Sequence, residues 1–340
     1  MALWPVYTGG NEPHDGITRL PPPPPWRAFD GAPVLDPPVD GDSATAASPD
    51  RVHRAETYRA TPQIVQLVNA ALYLRRPLLV TGPPGTGKSS LVYAVARELR
   101  LGPVLRWNIT SRSTLHDGLY QYDPLSRLYA ARGTAGEPDT AATGTGIEDH
   151  LRLGPLGTAL LPYGRPRALL IDEIDKSDLD LPNDLLNVLE EGQYEIPELV
   201  RSARRTPTAE VMVDGTDERV PVDRGRVRCR AFPFVVLTSN GEREFPPAFL
   251  RRCVTLRLRQ PDDGHLAAIV RAHFDGEPDA YAQTLISRFL SRVGGGDLAT
   301  DQLLNAIYLA RSSDLDAESL DELAEQLMPY LGEAPYPDAF

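Results

Sequence analysis

Leu78-Leu79-Val80-Thr81-Gly82-Pro83-Pro84-Gly85-Thr86-Gly87-Lys88-Ser89 is the stretch on which the reading of this chain turns. Leu78, Leu79 and Val80 predict a short buried strand, and residues 82–89 satisfy G-x-x-x-x-G-K-[ST] at every position. Gly82, Gly85 and Gly87 let successive backbone N–H groups turn inward around phosphate oxygens, where a Cβ would obstruct them. Lys88 is long enough to reach the β- and γ-phosphates as a compact charge, and the Ser89 hydroxyl suits Mg²⁺. Pro83, Pro84, Thr86 and Ser90 belong to the same nucleotide-contacting stretch. A helix is predicted from Lys88 onward, so that its positive end faces the anion. A glycine-rich turn by itself carries little; the apolar strand before it and the helical pattern after it are the context the motif requires. The expected ligand is a nucleoside triphosphate with Mg²⁺.

The surrounding composition narrows the class. The chain has 340 residues, 41% of them hydrophobic, enough for a large core and two packed units with an extension. A net charge of −12 argues against wholesale binding of a phosphate backbone, so nucleic acid is not an expected partner. Lys88 and Lys176 are the chain's two lysines, which makes a lysine inside the loop a poor candidate for compositional noise. The two cysteines, Cys229 and Cys253, are too few for a disulfide framework and read as inert buried side chains of a protein in a reducing, cytoplasmic setting. No run approaches the ~20 apolar residues of a membrane span.

Three segments follow from the pattern: a Pro-rich extension over 1–55, an α/β nucleotide-binding core over 56–260, and a helical tail over 261–335. Pro21 to Pro25 predict polyproline II, and a mobile linker is the plain reading of this extension. Trp4, Tyr7, Ile17, Leu20, Trp26 and Phe29 are more apolar than a linker needs, which favours docking on the domain or on a partner. Thr61-Pro62 is an N-cap followed by proline at the first helical position. Val104 to Ile109 is a second strand candidate, and the Ala/Thr/Gly-rich stretch from Gly133 to Gly146 reads as an exposed loop. Strand and helix alternate, as in a parallel sheet covered on both faces. After Gln260-Pro261 helical periodicity predicts helices over 262–274, 278–293, 300–311 and 316–331.

Ala168-Leu169-Leu170-Ile171-Asp172-Glu173 is an apolar strand ending in two carboxylates, at the sheet edge where ligands sit in such folds. Asp172 suits Mg²⁺, directly or through water, and Glu173 suits a general base for the attacking water. An acidic strand end is commonplace alone; its coupling to a complete phosphate loop gives it meaning. The loop, Leu169 to Lys176, and Leu237-Thr238-Ser239-Asn240 together resemble an AAA+ ATPase. Leu153-Gly154-Pro155-Leu156 and Leu185 to Glu191 resemble its MoxR-like branch more narrowly.

The resemblance covers roughly residues 56–330 and implies an ATP-hydrolysing ring, hexameric in form, that remodels or activates a protein partner, for which a von Willebrand A-type protein is the family precedent. It also implies that Asn240 is the sensor-1 residue orienting the attacking water, against the plain reading of an Asn-Gly turn. Arg252, ahead of Arg251, would project into a neighbour's nucleotide, although paired arginines at a helix C-terminus are also ordinary dipole partners. The lid arginine of the family would open the third lid helix, yet Ala299-Thr300-Asp301-Gln302 has none, leaving Arg292 or Arg311 as substitutes. Two other readings stand beside this one. The first is a slow-turnover ATP-dependent switch or scaffold in a defence or signalling assembly. The second is a nucleic-acid-linked motor, for which only the arginine-rich hairpin speaks. Arg224, Arg226, Arg228 and Arg230 alternate, and a single strand would place all four on one face.

Overall fold

The computed structural model describes residues 5–10, 12–38, 48–133, 146–274, 276, 279–292, 299–313 and 317–328. Trp4 and nearly all of the loop expected over 133–146 lie outside them. Its strands, in chain order, are β1 (Leu78–Thr81), β2 (Leu105–Asn108), β3 (Tyr120–Tyr122), β4 (Leu151–Leu153), β5 (Ala168–Asp172), β6 (Gln193–Glu195), β7 (Thr208–Met212), β8 (Arg219–Asp223), β9 (Arg226–Arg228), β10 (Phe234–Ser239) and β11 (Val254–Arg257).

Five of these form the central sheet, in the order β11-β1-β10-β5-β2, with every neighbouring pair parallel. Successive side chains leave a strand on opposite faces, so each apolar run feeds two cores. Leu79, Leu169, Ile171, Val235 and Leu237 enter one cluster, and Leu78, Val80, Leu170 and Val236 enter the other. Leu78, Leu79 and Val80 are fully buried, each worth roughly 1.5–3 kcal/mol. That is enough to fix a four-residue strand, and with it the loop it carries. The chain leaves β1 for the far edge at β2, works back through β5 and β10, and ends at β11 on the other side. Such a reversal opens a crevice at the carboxyl ends of the strands around β1.

Helix α1 spans Pro49–Thr57, α2 Pro62–Leu74 and α3 Ser90–Glu98. The Thr61 hydroxyl accepts the Ile64 N–H at 3.4 Å, capping α2. Helix α1 runs across residues 55 and 56, where the sequence pattern places the start of the core. The regular helix after the phosphate loop begins at Ser90 rather than Lys88, because the Leu91 N–H is the first to reach back a full turn, to the Gly87 carbonyl at 3.3 Å. Four lid helices follow β11: Asp263–Phe274, Ala280–Arg292, Thr300–Ser312 and Ala317–Leu327, around their own cluster of Leu266, Leu285, Phe289 and Leu303. Among the described residues no helix is long and apolar enough to cross a membrane.

Two insertions far apart in sequence meet in a second sheet, ordered β3-β4-β7-β8. The β7–β8 hairpin turns at Asp214-Gly215, and β4 joins β7 through Arg152, whose guanidinium donates to the Val213 and Thr216 carbonyls at 3.1 and 2.7 Å. The single arginine-lined strand face does not form. Arg224 (φ 51°) and Gly225 make the turn from β8 to β9, and Arg230 lies beyond β9, leaving Arg226 and Arg228 on the strand. Arg226 pairs with Glu195 at 2.9 Å and Arg228 with Asp30 at 2.8 Å.

The N-terminal extension docks as a strap. Tyr7 and Ile17 are buried, Leu20 packs beside them, Phe29 stacks on Phe232 with ring centroids 5.5 Å apart, and Trp26 stays exposed. Its polar anchors are buried groups on core helices. The Asn69 carboxamide accepts the Val6 and Tyr7 N–H groups at 2.7 and 3.0 Å and donates to the Tyr7 carbonyl at 2.8 Å. The Glu98 carboxylate accepts from the Thr8 N–H at 2.5 Å, the Thr8 hydroxyl at 2.8 Å and the Gly10 N–H at 3.0 Å. Arg27 closes the strap by donating to the carbonyls of Arg75 at the end of α2 and of Leu189 and Glu190 at the end of the helix Leu181–Glu191. A cation there meets the negative ends of two helices. Asn69→Leu leaves buried strap amides without acceptors, at about 1–3 kcal/mol apiece. Chemical denaturation of that variant is expected to show a loss of roughly 2–4 kcal/mol, with faster proteolysis within residues 5–38.

Candidate nucleotide site

The loop from Gly82 to Ser89 lies at the carboxyl end of β1, in the crevice the sheet reversal opens. Its glycines are sterically required. A Cβ on Gly82 (φ 153°) would come within 2.6 Å of the Leu258 carbonyl oxygen, and one on Gly85 (φ 72°) within 2.4 Å of the Ala299 Cβ. The lid therefore packs directly on the loop. Lys88 is 8% exposed, and its Nζ donates to the loop carbonyls of Gly82 at 2.8 Å and Pro83 at 2.7 Å. Burial lowers the Lys88 pKa below its ordinary value, against the opposing pull of Asp175, Asp172 and Glu173. A buried ammonium hydrogen-bonded to neutral carbonyl oxygens can exchange them for the oxygens of an incoming phosphate.

The acidic strand end meets it. The Asp172 Oδ1 atom accepts the Ser89 hydroxyl at 2.7 Å and the Thr238 hydroxyl at 2.6 Å, and Oδ2 accepts Arg106 at 3.0 Å. Ser89 donates its proton to Asp172, so its lone pairs remain for a cation. Hard oxygen donors of this kind fit Mg²⁺. Glu173 sits at φ 61°, with its N–H held by the Thr238 hydroxyl at 2.9 Å. This left-handed turn takes its side chain out of the strand direction, where it pairs with Lys176 at 2.8 Å. Hydrogen bonding to Glu173 raises the Lys176 pKa.

These residues share one cavity of about 690 Å³. Pro84 to Ser90, Asp172, Glu173 and Asn240 line it, with Tyr58 and Ile64 on one side and His265, Thr300 and Leu304 from the lid on the other. Tyr58 lies against the loop, 3.3 Å from where a Cβ of Gly87 would be. Four lining arginines escape the sequence reading: Arg54, Arg59, Arg257 and Arg259. Arg257 and Arg259 carry a faint signal, alternating with Leu256 and Leu258 at the end of the edge strand β11 and just beyond it.

Other expected residues lie elsewhere. Neither Arg251 nor Arg252 lines the cavity. Arg252 is bonded through Nε to Glu190 and donates to the Ala248 carbonyl at 3.2 Å. Arg311 pairs with Asp279 at 3.4 Å, covers the Phe274 ring at 5.1 Å, and does not line the cavity. The Arg292 side chain lies outside the described residues. Both cysteines are buried, and burial pushes each thiol up to about 12.

The family model for the AAA domain (dynein-related subfamily) matches residues 77–253, from just before β1 to just before β11. This chain belongs to that AAA family. The matched span contains the phosphate loop, Asp172, Glu173 and Asn240, and it ends before the AAA core gives way to the lid helices. Two solved structures are similar to this AAA protein: NtrX from Brucella abortus in complex with ADP and with ATP. Each is 17% identical, with TM-scores of 0.41 and 0.37, covering 82% and 79% of this chain. The chain spans 56% and 55% of those two. No curated protein matches it.

Proposed function

We propose that this AAA protein hydrolyses ATP with Mg²⁺ and works as a ring, MoxR-like in type, that remodels or activates a protein partner. One observation carries the enzymatic part: Lys88, Ser89, Asp172, Glu173 and Asn240, drawn from three neighbouring strand ends, meet around one cavity. Lys88 receives the phosphates, Ser89 and Asp172 hold the cation, which offsets charge on the phosphates, and Glu173 takes the proton of the attacking water. To act as that base Glu173 leaves Lys176, an ion pair exposed enough to cost little to break. Arg226 and Arg228 spend their charge on Glu195 and Asp30, which weighs against a nucleic-acid motor.

The ring rests on Arg252 acting across a subunit boundary, which requires it to exchange Glu190 for a neighbour's phosphate. Arg252→Ala subunits would keep a sound pocket and fail their neighbours, whereas Lys88→Ala subunits would have a dead pocket and a sound arginine. Each pure variant is expected to be nearly inactive, since such an arginine contributes up to ~10³–10⁵-fold in related phosphoryl transfers. Mixing them after subunit exchange is expected to raise activity above either, in a concentration-dependent way. A mixture no more active than its parts would count against the shared site, and full activity of Arg252→Ala alone would move the role to Arg251.

The slow-turnover switch is favoured by one observation: the lid helix Thr300–Ser312 offers Thr300, Asp301 and Leu304 to the cavity and no arginine. Turnover measured with and without co-purifying proteins separates the two readings. A rate that stays near zero with every partner would favour the switch.

A further inference from the structure

Asp175 has no part in the scheme above, yet it is buried more deeply than the cavity-lining Asp172. It is 3% exposed, two residues beyond Glu173, in the short turn Ile174–Lys176. Its Oδ2 atom accepts the Asn240 N–H at 2.9 Å and the Glu242 N–H at 3.2 Å. Its Oδ1 atom is buried without a hydrogen-bond partner. A second cavity reaches this carboxylate from the far side of Glu173, between Asn108, Thr110 and Arg243. Leaving a carboxylate oxygen unpaired in the interior is costly, so the bonds made by the other oxygen must repay it.

What those bonds do is visible in the chain path. Ser239 ends β10, Gly241 has a φ of 82°, and the chain turns sharply there. Nothing lies within 4 Å of where a Cβ of Gly241 would be, and the Ser239 hydroxyl accepts the Gly241 N–H at 3.0 Å, so hydrogen bonds shape this bend. Asp175 grips its backbone from both sides of Gly241. Asn240, which lines the nucleotide cavity, has its backbone placed by that grip.

We propose that Asp175 is a positioning residue for hydrolysis, anchoring the Asn240 turn to the same short turn that carries Glu173. The base and the water-orienting amide are thereby set by one rigid piece, and neither can shift without the other. This rests on the proposed ATPase function, but the anchoring itself can be read without any turnover.

Three variants test it in the full chain. Asp175→Leu removes both acceptors, Asp175→Ser shortens the side chain beyond reach if leucine does not fold, and Asp175→Asn keeps one oxygen able to accept both N–H groups. Hydrogen exchange at the Asn240 and Glu242 amides is expected to accelerate about tenfold or more in the leucine or serine variant and little in the asparagine variant. With Mg-ATP, the first two are expected to lose roughly 10–10²-fold in kcat, the scale of a misplaced catalytic group, with the Kd for ATP within about threefold of the parent. Asp175→Asn is expected to keep most of the rate. In an Asn240→Ala background, the leucine or serine change is expected to cost little more, because the group it positions is gone.

Unchanged amide exchange in a folded leucine or serine variant would overturn the anchoring, whatever the enzyme does. Parental kcat, equal losses with asparagine, or full additivity with Asn240→Ala would each overturn the positioning role. A parent chain without any ATP turnover would defeat the ATPase reading, while the exchange data still decide the anchor.

Discussion

Glu173→Gln is expected to bind ATP as tightly as the parent and to hydrolyse it ~10²–10⁴-fold more slowly, the range for loss of a general base. Glutamine keeps the size and one side-chain oxygen, as an amide carbonyl, but cannot take the water's proton. The left-handed backbone of residue 173 is fixed by the Thr238 hydroxyl rather than by its own side chain, so the substitution leaves the turn in place. The Lys176 pair is lost, but it lies at the surface, and such pairs contribute little. Rapid-quench hydrolysis beside equilibrium ATP binding checks both halves. A variant that turns over at the parental rate would remove Glu173 from the chemistry, and one that no longer binds ATP would make it a binding residue.

Lys88→Ala is expected to weaken ATP binding by roughly 10²–10⁴-fold, as two hydrogen bonds to charged phosphate are lost at about 1.5–3 kcal/mol each. The fold should survive. Lys88 Nζ satisfies only the Gly82 and Pro83 carbonyls, which water can reach once the side chain is gone. Burial already lowers the Lys88 pKa, so deleting the ammonium also removes a charge the interior tolerates poorly. Calorimetric titration with ATP and a thermal melt without it separate a binding defect from a folding defect. Unchanged affinity would show that the phosphates lie elsewhere.

What the sequence reveals here is what lies within one stretch of chain. Residues 78–89 and 168–173 each hold strand, turn and reactive group in a dozen residues or fewer, so their meaning survives without the fold. Thr238, Arg106 and Asp175 do not read this way. Thr238 looks like ordinary strand composition until the parallel register sets β10 beside β5 and its hydroxyl reaches Asp172. Arg106 looks like the solvent side of β2, and its guanidinium reaches Asp172 only because that strand lies next to β5. The alternating arginines mislead for a related reason: a turn at Arg224-Gly225 breaks the period that sequence spacing alone presumes.

The strap was legible only in its apolar half. Tyr7, Ile17 and Phe29 announce docking by being too apolar for a linker, but their partners Asn69 and Glu98 sit inside helix stretches that read as apolar. A buried-face position filled by Asn or Glu is itself a signal, since such groups are expensive without several hydrogen bonds. Here the bonds come from backbone some sixty to ninety residues away. A longer separation, 163 residues, hides how Arg27 supports the end of the helix bearing Glu190, and through Glu190 the resting place of Arg252.

A structure of the Glu173→Gln protein with ATP and Mg²⁺ decides whether the crevice at the end of β1 binds ATP for hydrolysis. The triphosphate is expected in the loop of residues 82–89, with Lys88 Nζ turned from the Gly82 and Pro83 carbonyls to phosphate oxygens, the cation beside Ser89 and Asp172, and the Asn240 side chain facing the last phosphate. Nucleotide bound outside this cavity, or a loop left empty at saturating ATP with Lys88 still on its own carbonyls, would contradict that expectation.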